Sequence, residues 1–232
     1  MDFKAIVFDA YGTLFDVNSA AEKCKHKIGD KWEAFANFWR TTQLEYTWLR
    51  SLMKRHKDFW QITEDSLDKS MNVFNIHTSM KNELLNLYKV LSPYPEVKEV
   101  LTDLKKKNLK LAILSNGTPD LINELVSSNN LDAFDDLFSI EEVKIYKPDS
   151  KVYDLPINKY KIQSVLIEGG IKTFKSFLIN GAFNEVVICQ SSKMINKSKK
   201  RYKLDKKLIK NRCKKIDSQE YFRDKIEIYK NV

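Results

Sequence analysis

Apolar and polar positions follow two different patterns along the chain. In the first pattern, which extends to Val90, one short strand is followed by helices. Residues 4–8 (KAIVF) form a short apolar run that predicts a buried strand. Over residues 32–53 the apolar side chains recur at steps of three and four, which predicts an amphipathic helix with a wide apolar stripe. The stripe comprises Trp32, Phe35, Phe38, Trp39, Tyr46, Leu49, Leu52 and Met53. Helical segments continue to Val90, so roughly eighty residues of helix follow the first strand, which indicates a helical insertion in a sheet domain.

The second pattern begins after the prolines of SPYPEV (92–97), where helices and strands alternate. Predicted helices at residues 97–107, 119–128 and 144–156 alternate with predicted strands at 109–115, 137–140 and 164–167. This alternation predicts an α/β fold: a doubly wound, Rossmann-like parallel sheet with an inserted helical cap. Ligands of such sheets bind at the carboxyl ends of the strands, which is where Asp9, Ser115 and Glu168 fall.

Composition limits the class of protein. The 232 residues are 43% apolar, enough for one large domain or for a core with an inserted smaller domain. No window approaches the ~18 uninterrupted apolar residues of a membrane span, and the N-terminus lacks the pattern of a leader peptide. We therefore expect a cytoplasmic protein with no membrane partner.

The net charge of +9 raises the question of nucleic-acid binding. From Ser191 to Val232 there are fifteen Lys and Arg against five Asp and Glu, so this tail carries +10 and the other 190 residues sum to −1. A lysine-rich run without interleaved aromatic residues is typical of a solvated face. We therefore expect no specific nucleic-acid partner.

The cysteine and histidine pattern predicts no metal site. Cys24, Cys189 and Cys213 are far apart and show neither CxxC nor Cys/His ligand spacing, so reduced thiols are expected. The three histidines have no second histidine or cysteine at ligand spacing.

Three segments that are distant in sequence can meet at one edge of the predicted sheet: Asp9, the pair Ser115–Asn116, and Lys147. A strand-end carboxylate beside a lysine and a hydroxyl is a plausible activated nucleophile, because the lysine would keep the carboxylate ionised. Asp, Ser and Asn are also ordinary turn formers, so a purely structural role is an equal alternative on composition alone.

Five segments, in order and at matching separations, decide between these readings: VFDAYGTLFD (7–16), FWRTTQLEYTWLRSLM (38–53), DFW (58–60), LAILSNGTPDLI (111–122) and YKPDSKVYDL (146–155). Over residues 1 to about 160 the chain resembles the haloacid dehalogenase superfamily, and specifically the L-2-haloacid dehalogenases. Tyr11 stands two places after Asp9, where the phosphatases of that superfamily have a second aspartate. A departing halide needs neither a proton donor nor a metal ion, so no cofactor is expected.

The resemblance implies a role for each matching position. Asp9 would be the nucleophile, Arg40 would receive the halide, and Ser115 with the adjacent backbone would bind the substrate carboxylate. The supporting residues implied are Thr13 and Lys147 to hold Asp9, Asn116 in the Ser115 motif, Tyr11, Leu44 and Phe59 as pocket walls, and Tyr153 beside Lys147. For Arg40 the alternative is an exposed helix face with a snorkelling side chain.

The resemblance ends near Ile162. The family should next supply a strand ending in a Ser-Ser-Asn-Ala-Trp-Asp-like segment with the aspartate that activates water, whereas this chain has SVLIEGGIKTFKSF (164–177). From about residue 162 it resembles the end of the reductase domain of riboflavin-biosynthesis deaminase/reductases. The predicted division is therefore a core at 1–15 and 96–161, a cap at 16–95, and a foreign segment at 162–232 that completes or replaces the last strands. On this hypothesis Glu168 takes the place of the missing aspartate.

The sequence as a whole predicts an (S)-2-haloacid dehalogenase-like hydrolase that releases halide from small 2-haloalkanoic acids, with activity impaired by loss of the last motif. The alternatives are a catalytically dead chimera and a Mg²⁺-dependent small-molecule phosphatase of the same superfamily. The expected partner is a small 2-haloacid, and a homodimer is compatible with the pattern.

Overall fold

The computed structural model describes residues 3–166, 171–181, 183–191, 206–221 and 224–232. By its internal contacts the chain divides after Gln163 into two compact units. The first unit contains, in chain order, β1 (Ala5–Phe8), α1 (Ser19–Lys23), α2 (Lys25–Ile28), α3 (Trp32–Met53), α4 (Phe59–Phe74), α5 (Lys81–Lys89), α6 (Val97–Lys106), β2 (Lys110–Ser115), α7 (Pro119–Ser128), β3 (Asp136–Ser139) and α8 (Ser150–Tyr160). Short 3₁₀ turns lie at Thr78–Met80 and Ile140–Glu142.

The three strands of this unit form a parallel sheet in the order β1–β2–β3. The central strand β2 is buried from Leu111 to Ser115, as expected for an apolar run with neighbours on both sides. Helices α6 and α8 contact β2, and α7 contacts β3. The prediction of a parallel α/β core with an inserted helical cap is confirmed.

Local signals in the sequence set the ends of the helices. The Asp58 side chain accepts the N–H of Gln61 at 2.8 Å and begins α4, which ends at Asn75 in the left-handed conformation. Thr118 caps α7 through the N–H of Leu121, and Pro119 follows at the first helical position. These N-cap residues therefore set the first residues of α4 and α7.

The two connections between core and cap run side by side. The N–H of Asp16 donates to the Ser92 carbonyl at 2.8 Å, and the N–H of Tyr94 donates to the Leu14 carbonyl at 3.0 Å. The helices α1 to α5 therefore leave and re-enter the core at one place, as expected of an inserted domain.

The cap also contacts the core at the loop between α3 and α4. His56 Nε2 lies 3.0 Å from a carboxylate oxygen of Glu141, and the His56 ring packs against Tyr146 at 5.1 Å between centroids. The Tyr146 hydroxyl donates to the Lys57 carbonyl. This contact joins the cap loop to the segment that leads into Lys147.

Helix α3 has the bounds that its periodicity predicts, but the predicted apolar stripe is only partly covered. Phe35 and Trp39 are buried, whereas Leu49, Leu52 and Met53 at the far end are exposed, Leu52 by 80%. Periodicity gives the face of a helix but does not determine how much of its length another element covers. Within the described part of the chain, no helix combines the length and hydropathy needed to cross a bilayer.

The second unit contains α9 (Ile171–Asn180), β4 (Glu185–Gln190), α10 (Lys206–Arg212), β5 (Cys213–Tyr221) and β6 (Asp224–Asn231). Its strands form a separate antiparallel sheet in the order β4–β6–β5. A small core contains Leu178, Val186, Ile209 and Cys213.

The strand predicted at 164–167 is absent over residues 164–166. Residues 164–166 are not in a strand, and Val165 and Leu166 are exposed. An apolar run becomes a strand only when a neighbour takes its backbone hydrogen bonds, and none of the described strands pairs with these three residues. Ile167 lies outside the described residues.

Candidate active site

The candidate site lies at the carboxyl ends of β1 and β2. Asp9 directly follows β1, and Ser115 is the last residue of β2. Because β1 and β2 are parallel and pair from Ala5–Lys110 to Phe8–Ile113, their carboxyl ends lie at the same edge. The topology thus brings together residues that are more than a hundred positions apart.

Asp9 and Lys147 form the ion pair that the sequence predicts. Lys147 Nζ lies 2.8 Å from Asp9 Oδ1 and 2.5 Å from the Leu114 carbonyl oxygen. The Lys147 side chain is 19% exposed and that of Asp9 is 43% exposed. The lysine is therefore held between strand β2 and the carboxylate, while the carboxylate remains accessible to a small molecule.

The turn after Asp9 is tightly hydrogen-bonded to itself. The Ala10 carbonyl accepts the N–H groups of Leu14 and Phe15 at 2.9 and 3.0 Å, and Gly12 donates to the Phe15 carbonyl at 2.8 Å. Gly12 has a φ of +90°, which is why a glycine is suited to this position. Thr13 is exposed, and no hydrogen bond from its side chain to Asp9 occurs among the described contacts.

Arg40 reaches this turn from the cap. Its Nη2 donates to the Tyr11 carbonyl at 3.1 Å, and its Nη1 donates to Gln43 Oε1 at 2.8 Å. Both hydrogen bonds come from the guanidinium itself, so the alternative of a snorkelling side chain that extends its head group to solvent is wrong. The Arg40 guanidinium is thus hydrogen-bonded to the backbone of Tyr11, two residues after the carboxylate of Asp9.

Gln43 was not predicted from the sequence. It is buried and bonds Arg40, Thr63 and Tyr88, which come from three different helices. The spacing of three between Arg40 and Gln43 on α3, which puts them on one face, is the sequence signal that could have found it.

Aromatic rings line the interior beside Arg40. Tyr11 packs against Tyr88 at 5.6 Å with an interplanar angle of 15°, and against Phe59 at 5.2 Å. The Tyr11 hydroxyl is buried and has no hydrogen-bond partner among the described residues. Burial, and next the neighbouring Tyr88, raise the pKa of Tyr11 well above its usual value, so the hydroxyl stays neutral.

Gly117 makes the close approach of Tyr11 possible. A Cβ at position 117 would lie 3.0 Å from both Cε2 and the hydroxyl of Tyr11, and 3.2 Å from Ile122 Cγ1. The turn after β2 is therefore tight where it passes the Tyr11 ring, and a larger residue at 117 would displace that ring or Ile122 by a few tenths of an ångström.

The pair Ser115–Asn116 holds the loops of the site in this conformation. Ser115 is fully buried, and its Oγ accepts the N–H of Gly117 at 3.0 Å. Asn116 Oδ1 accepts the N–H of Lys147 at 3.1 Å, so this side chain fixes the segment that carries the lysine. The sequence predicts substrate contacts for both residues; the contacts found here are to the protein.

The remaining predicted residues have weaker links to Asp9. Leu44 is half-buried on α3. Tyr153 lies on α8 with 42% exposure, and burial, followed by the negative charge of Asp9, raises its pKa. No hydrogen bond joins Tyr153 to Lys147 among the described contacts. Glu168 lies outside the described residues.

Within the part of the chain that the structure describes, no three His, Cys, Asp or Glu side chains are grouped as metal ligands. The chemistry that the site offers is that of an accessible carboxylate, a lysine held against it, and a guanidinium fixed nearby among aromatic rings. Such a set can attack an electrophilic carbon and accept a departing anion.

Comparison with known proteins identifies the family. The family model described as haloacid dehalogenase-like hydrolase matches residues 3–167. The chain belongs to the haloacid dehalogenase-like hydrolases. This confirms the family that the sequence motifs indicate, and the match extends five residues past the predicted start of the foreign segment at 162.

Curated relatives of this hydrolase are dehalogenases. It is 43% identical over 163 residues to (S)-2-haloacid dehalogenase 1 of Pseudomonas sp. (strain CBS-3), covering 69% of this chain and 72% of the relative. It is 45% identical over 159 residues to the (S)-2-haloacid dehalogenase of Pseudomonas sp. (strain YL), covering 67% and 68%.

Solved structures with a similar fold are also dehalogenases. A crystal structure of a dehalogenase superposes on the hydrolase with a TM-score of 0.68 at 37% identity, covering 69% of this chain and 73% of the other. The L-2-haloacid dehalogenase of Xanthobacter autotrophicus, solved with chloropropionic acid covalently bound, gives 0.64 at 37% identity, covering 70% and 66%.

Proposed function

We propose that this hydrolase is an (S)-2-haloacid dehalogenase that displaces halide from small 2-haloalkanoic acids through an aspartyl ester on Asp9. The observation that carries the proposal is the convergence of three groups on one turn. Lys147 is bonded to Asp9 at 2.8 Å, and Arg40 is bonded to the carbonyl of Tyr11, two residues further along. A relative at 37% identity has been solved with chloropropionic acid covalently bound, which supports a covalent step.

In the first step, an oxygen of Asp9 attacks C2 of the substrate from the side opposite the halogen. The new C–O bond forms as the carbon–halogen bond breaks, the halide leaves with the bonding electron pair, and the configuration at C2 inverts. Lys147 engages Oδ1 of Asp9, which leaves Oδ2 for the attack. Arg40 receives the halide, because its fixed donors can stabilise negative charge as it develops.

The substrate carboxylate would bind at the turn formed by Ser115 and Asn116, and the C2 substituent would lie among Tyr11, Leu44 and Phe59. The close ring contact of Tyr11 with Phe59 supports a narrow, apolar pocket. A pocket of this kind favours short alkyl chains. Thr13 and Tyr153 would hold Asp9 and Lys147 in place once substrate is bound.

In the second step, water attacks the carbonyl carbon of the ester on Asp9. The C–O bond within the former carboxylate breaks, the 2-hydroxy acid leaves, and the carboxylate is regenerated with one solvent oxygen. This step needs a base, and Glu168 is the candidate from the sequence. We expect hydrolysis to be slower than alkylation, since the segment that carries the water-activating aspartate in the family has been replaced.

We also infer that residues 162–232 have a different origin from the catalytic core at 1–15 and 96–161 and the cap at 16–95. The family match ends at residue 167, and the described strands beyond it are antiparallel, unlike the parallel strands of the core. The resemblance to a riboflavin-biosynthesis reductase remains a prediction from the sequence, and no reductase activity is proposed.

The test is to incubate the protein with (S)-2-chloropropionate and to measure released chloride together with the intact mass. We expect chloride release from the (S) and not from the (R) enantiomer, and a propionate adduct that maps to Asp9. Asp9→Asn, of nearly equal volume, should give neither. Chloride release without dependence on Asp9, or no adduct and no chloride from any 2-haloacid, would exclude this function. A Glu168→Gln variant that accumulates more adduct than wild type would assign the base.

A further inference from the structure

The halide-accepting arginine of the proposed function is held by buried side chains of the cap. We propose that Gln43, together with Thr63 and Tyr88, forms a positioning cluster that fixes the direction of the Arg40 guanidinium and so sets the affinity of the site for halide. The inference rests on the proposed function, in which Arg40 accepts the leaving halide. It adds three positioning residues, none of which the sequence motifs single out.

Two hydrogen bonds fix the plane of the guanidinium. Nη1 of Arg40 donates to Gln43 Oε1 at 2.8 Å, and Nη2 donates to the Tyr11 carbonyl at 3.1 Å. A guanidinium carries five N–H donors in a rigid fork, so two such bonds on different nitrogens fix the direction of the other three. The direction therefore depends on Gln43, because the second anchor is a backbone atom.

The orientation of the Gln43 amide follows from Thr63. The Thr63 hydroxyl donates its single hydrogen to the Phe59 carbonyl at 2.8 Å. It can therefore only accept from Gln43, so the amide group that faces it at 2.7 Å is the NH₂. The amide oxygen then points to Arg40, whereas a flipped amide would turn its NH₂ toward the cation.

Tyr88 closes the third side of the amide. Its hydroxyl lies 3.0 Å from Gln43 Nε2 and 3.2 Å from Oε1. Burial raises the pKa of Tyr88, against the opposing effect of the Arg40 charge, so the group remains a neutral hydroxyl. The ring packs on Tyr11 and, at 5.2 Å, on Trp39.

The cluster is buried and closely packed. Gln43, Thr63 and Tyr88 are each no more than 2% exposed. The void beside Arg40, Gln43 and Tyr88 has no room for a water molecule. With no water to replace a lost partner, each of these hydrogen bonds constrains the others.

A halide ion has no directional preference of its own, so a site for it depends on donors that are already aimed at one point. A guanidinium that is fixed before the reaction needs no reorganisation when negative charge develops on the leaving atom. A change in the cluster should therefore alter both the affinity for free halide and the difference in rate between substrates with different halogens. It acts through Arg40 and touches neither substrate nor halide.

The test is a calorimetric titration of the full chain with sodium bromide at constant ionic strength, which measures the affinity for bromide. We expect Gln43→Met to weaken bromide binding about tenfold, the effect of losing one charge-assisted hydrogen bond. Gln43→Glu should weaken it further, because a carboxylate beside Arg40 neutralises the guanidinium. In turnover, both variants should lose more activity with (S)-2-chloropropionate than with (S)-2-bromopropionate, because chloride is the poorer leaving group.

A second pair of variants separates positioning from folding. Thr63→Val removes the hydroxyl that orients the amide and should weaken bromide binding, whereas Thr63→Ser keeps the hydroxyl and should restore it. The control is Ser70→Ala, which removes another buried hydroxyl of α4 that donates to the Ser66 carbonyl at 2.7 Å, away from the cluster. It should leave bromide binding unchanged.

The outcomes distinguish this inference from the proposed function. If wild type releases no halide from any 2-haloacid, the proposed function fails, and the bromide titration still decides the positioning role. Equal bromide affinity in wild type, Gln43→Met and Thr63→Val, all folded, would overturn the cluster even if dehalogenation is established. An absence of bromide binding in wild type would overturn it as well.

Discussion

Replacing Lys147 by methionine tests the central ion pair of the site. Methionine keeps most of the length and the apolar stem of lysine but removes the ammonium. The change deletes the 2.8 Å contact with Asp9 Oδ1 and the 2.5 Å contact with the Leu114 carbonyl. Asn116 still holds the backbone N–H of residue 147, so the loop keeps its path.

The contacts set the expected size of the effect. A hydrogen bond to a charged group contributes about 1.5–3 kcal/mol when its partner is buried. Asp9 is 43% exposed, so water can replace much of the lost contact there, and we expect the free energy of unfolding to fall by only about 1–2 kcal/mol. The rate of alkylation should fall more, by roughly 100-fold, because the nucleophilic oxygen loses the bond that fixes its position.

The assay is the rate of ester formation, followed by intact mass after mixing with (S)-2-chloropropionate, with a thermal melt of each variant. Lys151→Met is the matched control, because Lys151 is exposed and, among the described contacts, only its backbone N–H is engaged, by Asp149. It should match wild type in both measurements. If Lys147→Met alkylates as fast as wild type, the lysine does not position the nucleophile and the mechanism is wrong.

Three further predictions concern the frame of the site. Gly117→Ala places a Cβ 3.0 Å from the Tyr11 ring, so it should lower the free energy of unfolding by about 1–3 kcal/mol in a denaturant titration and slow alkylation. Tyr11→Phe removes a buried hydroxyl without a partner among the described residues and should raise the melting temperature, with a gain of about 1 kcal/mol; a drop would reveal an unseen partner. Asp135→Asn should destabilise by about 1–3 kcal/mol at neutral pH, because Lys105, the Leu111 N–H and Lys110 all bond this carboxylate and hold its pKa well below its usual value. Since a lowered pKa stabilises the fold above about 3.9, the pKa of an unfolded aspartate, the difference from wild type should shrink as the pH falls below that value.

The sequence was sufficient for the parts of the site that depend on strands and short motifs. A parallel sheet puts the carboxyl ends of its strands at one edge, so Asp9 and Ser115 could be grouped from their positions, whereas the role of Lys147 followed from the resemblance of its motif. The bounds of α3 followed from its periodicity. These are cases in which local pattern and topology give the same answer.

Other features depend on partners that a pattern does not name. Gln43 bonds Thr63 and Tyr88, which are twenty and forty-five positions away on other helices, so no local spacing predicts the cluster. The exposure of Leu52 depends on what covers the end of α3. Residues 164–166 have the composition of a strand, but a strand also needs a neighbour to pair with.

The contact between the cap loop and the core has a consequence for grafting caps between relatives. Tyr146, which precedes Lys147, bonds the carbonyl of Lys57, and that atom is present whatever side chain stands at position 57. The adjacent contact of His56 with Glu141 depends on both side chains. A transplanted cap should therefore keep the Tyr146 contact wherever its loop follows the same path. The stability of the contact between the new cap and the core next to Lys147 should depend on whether the residue at position 56 can pair with Glu141.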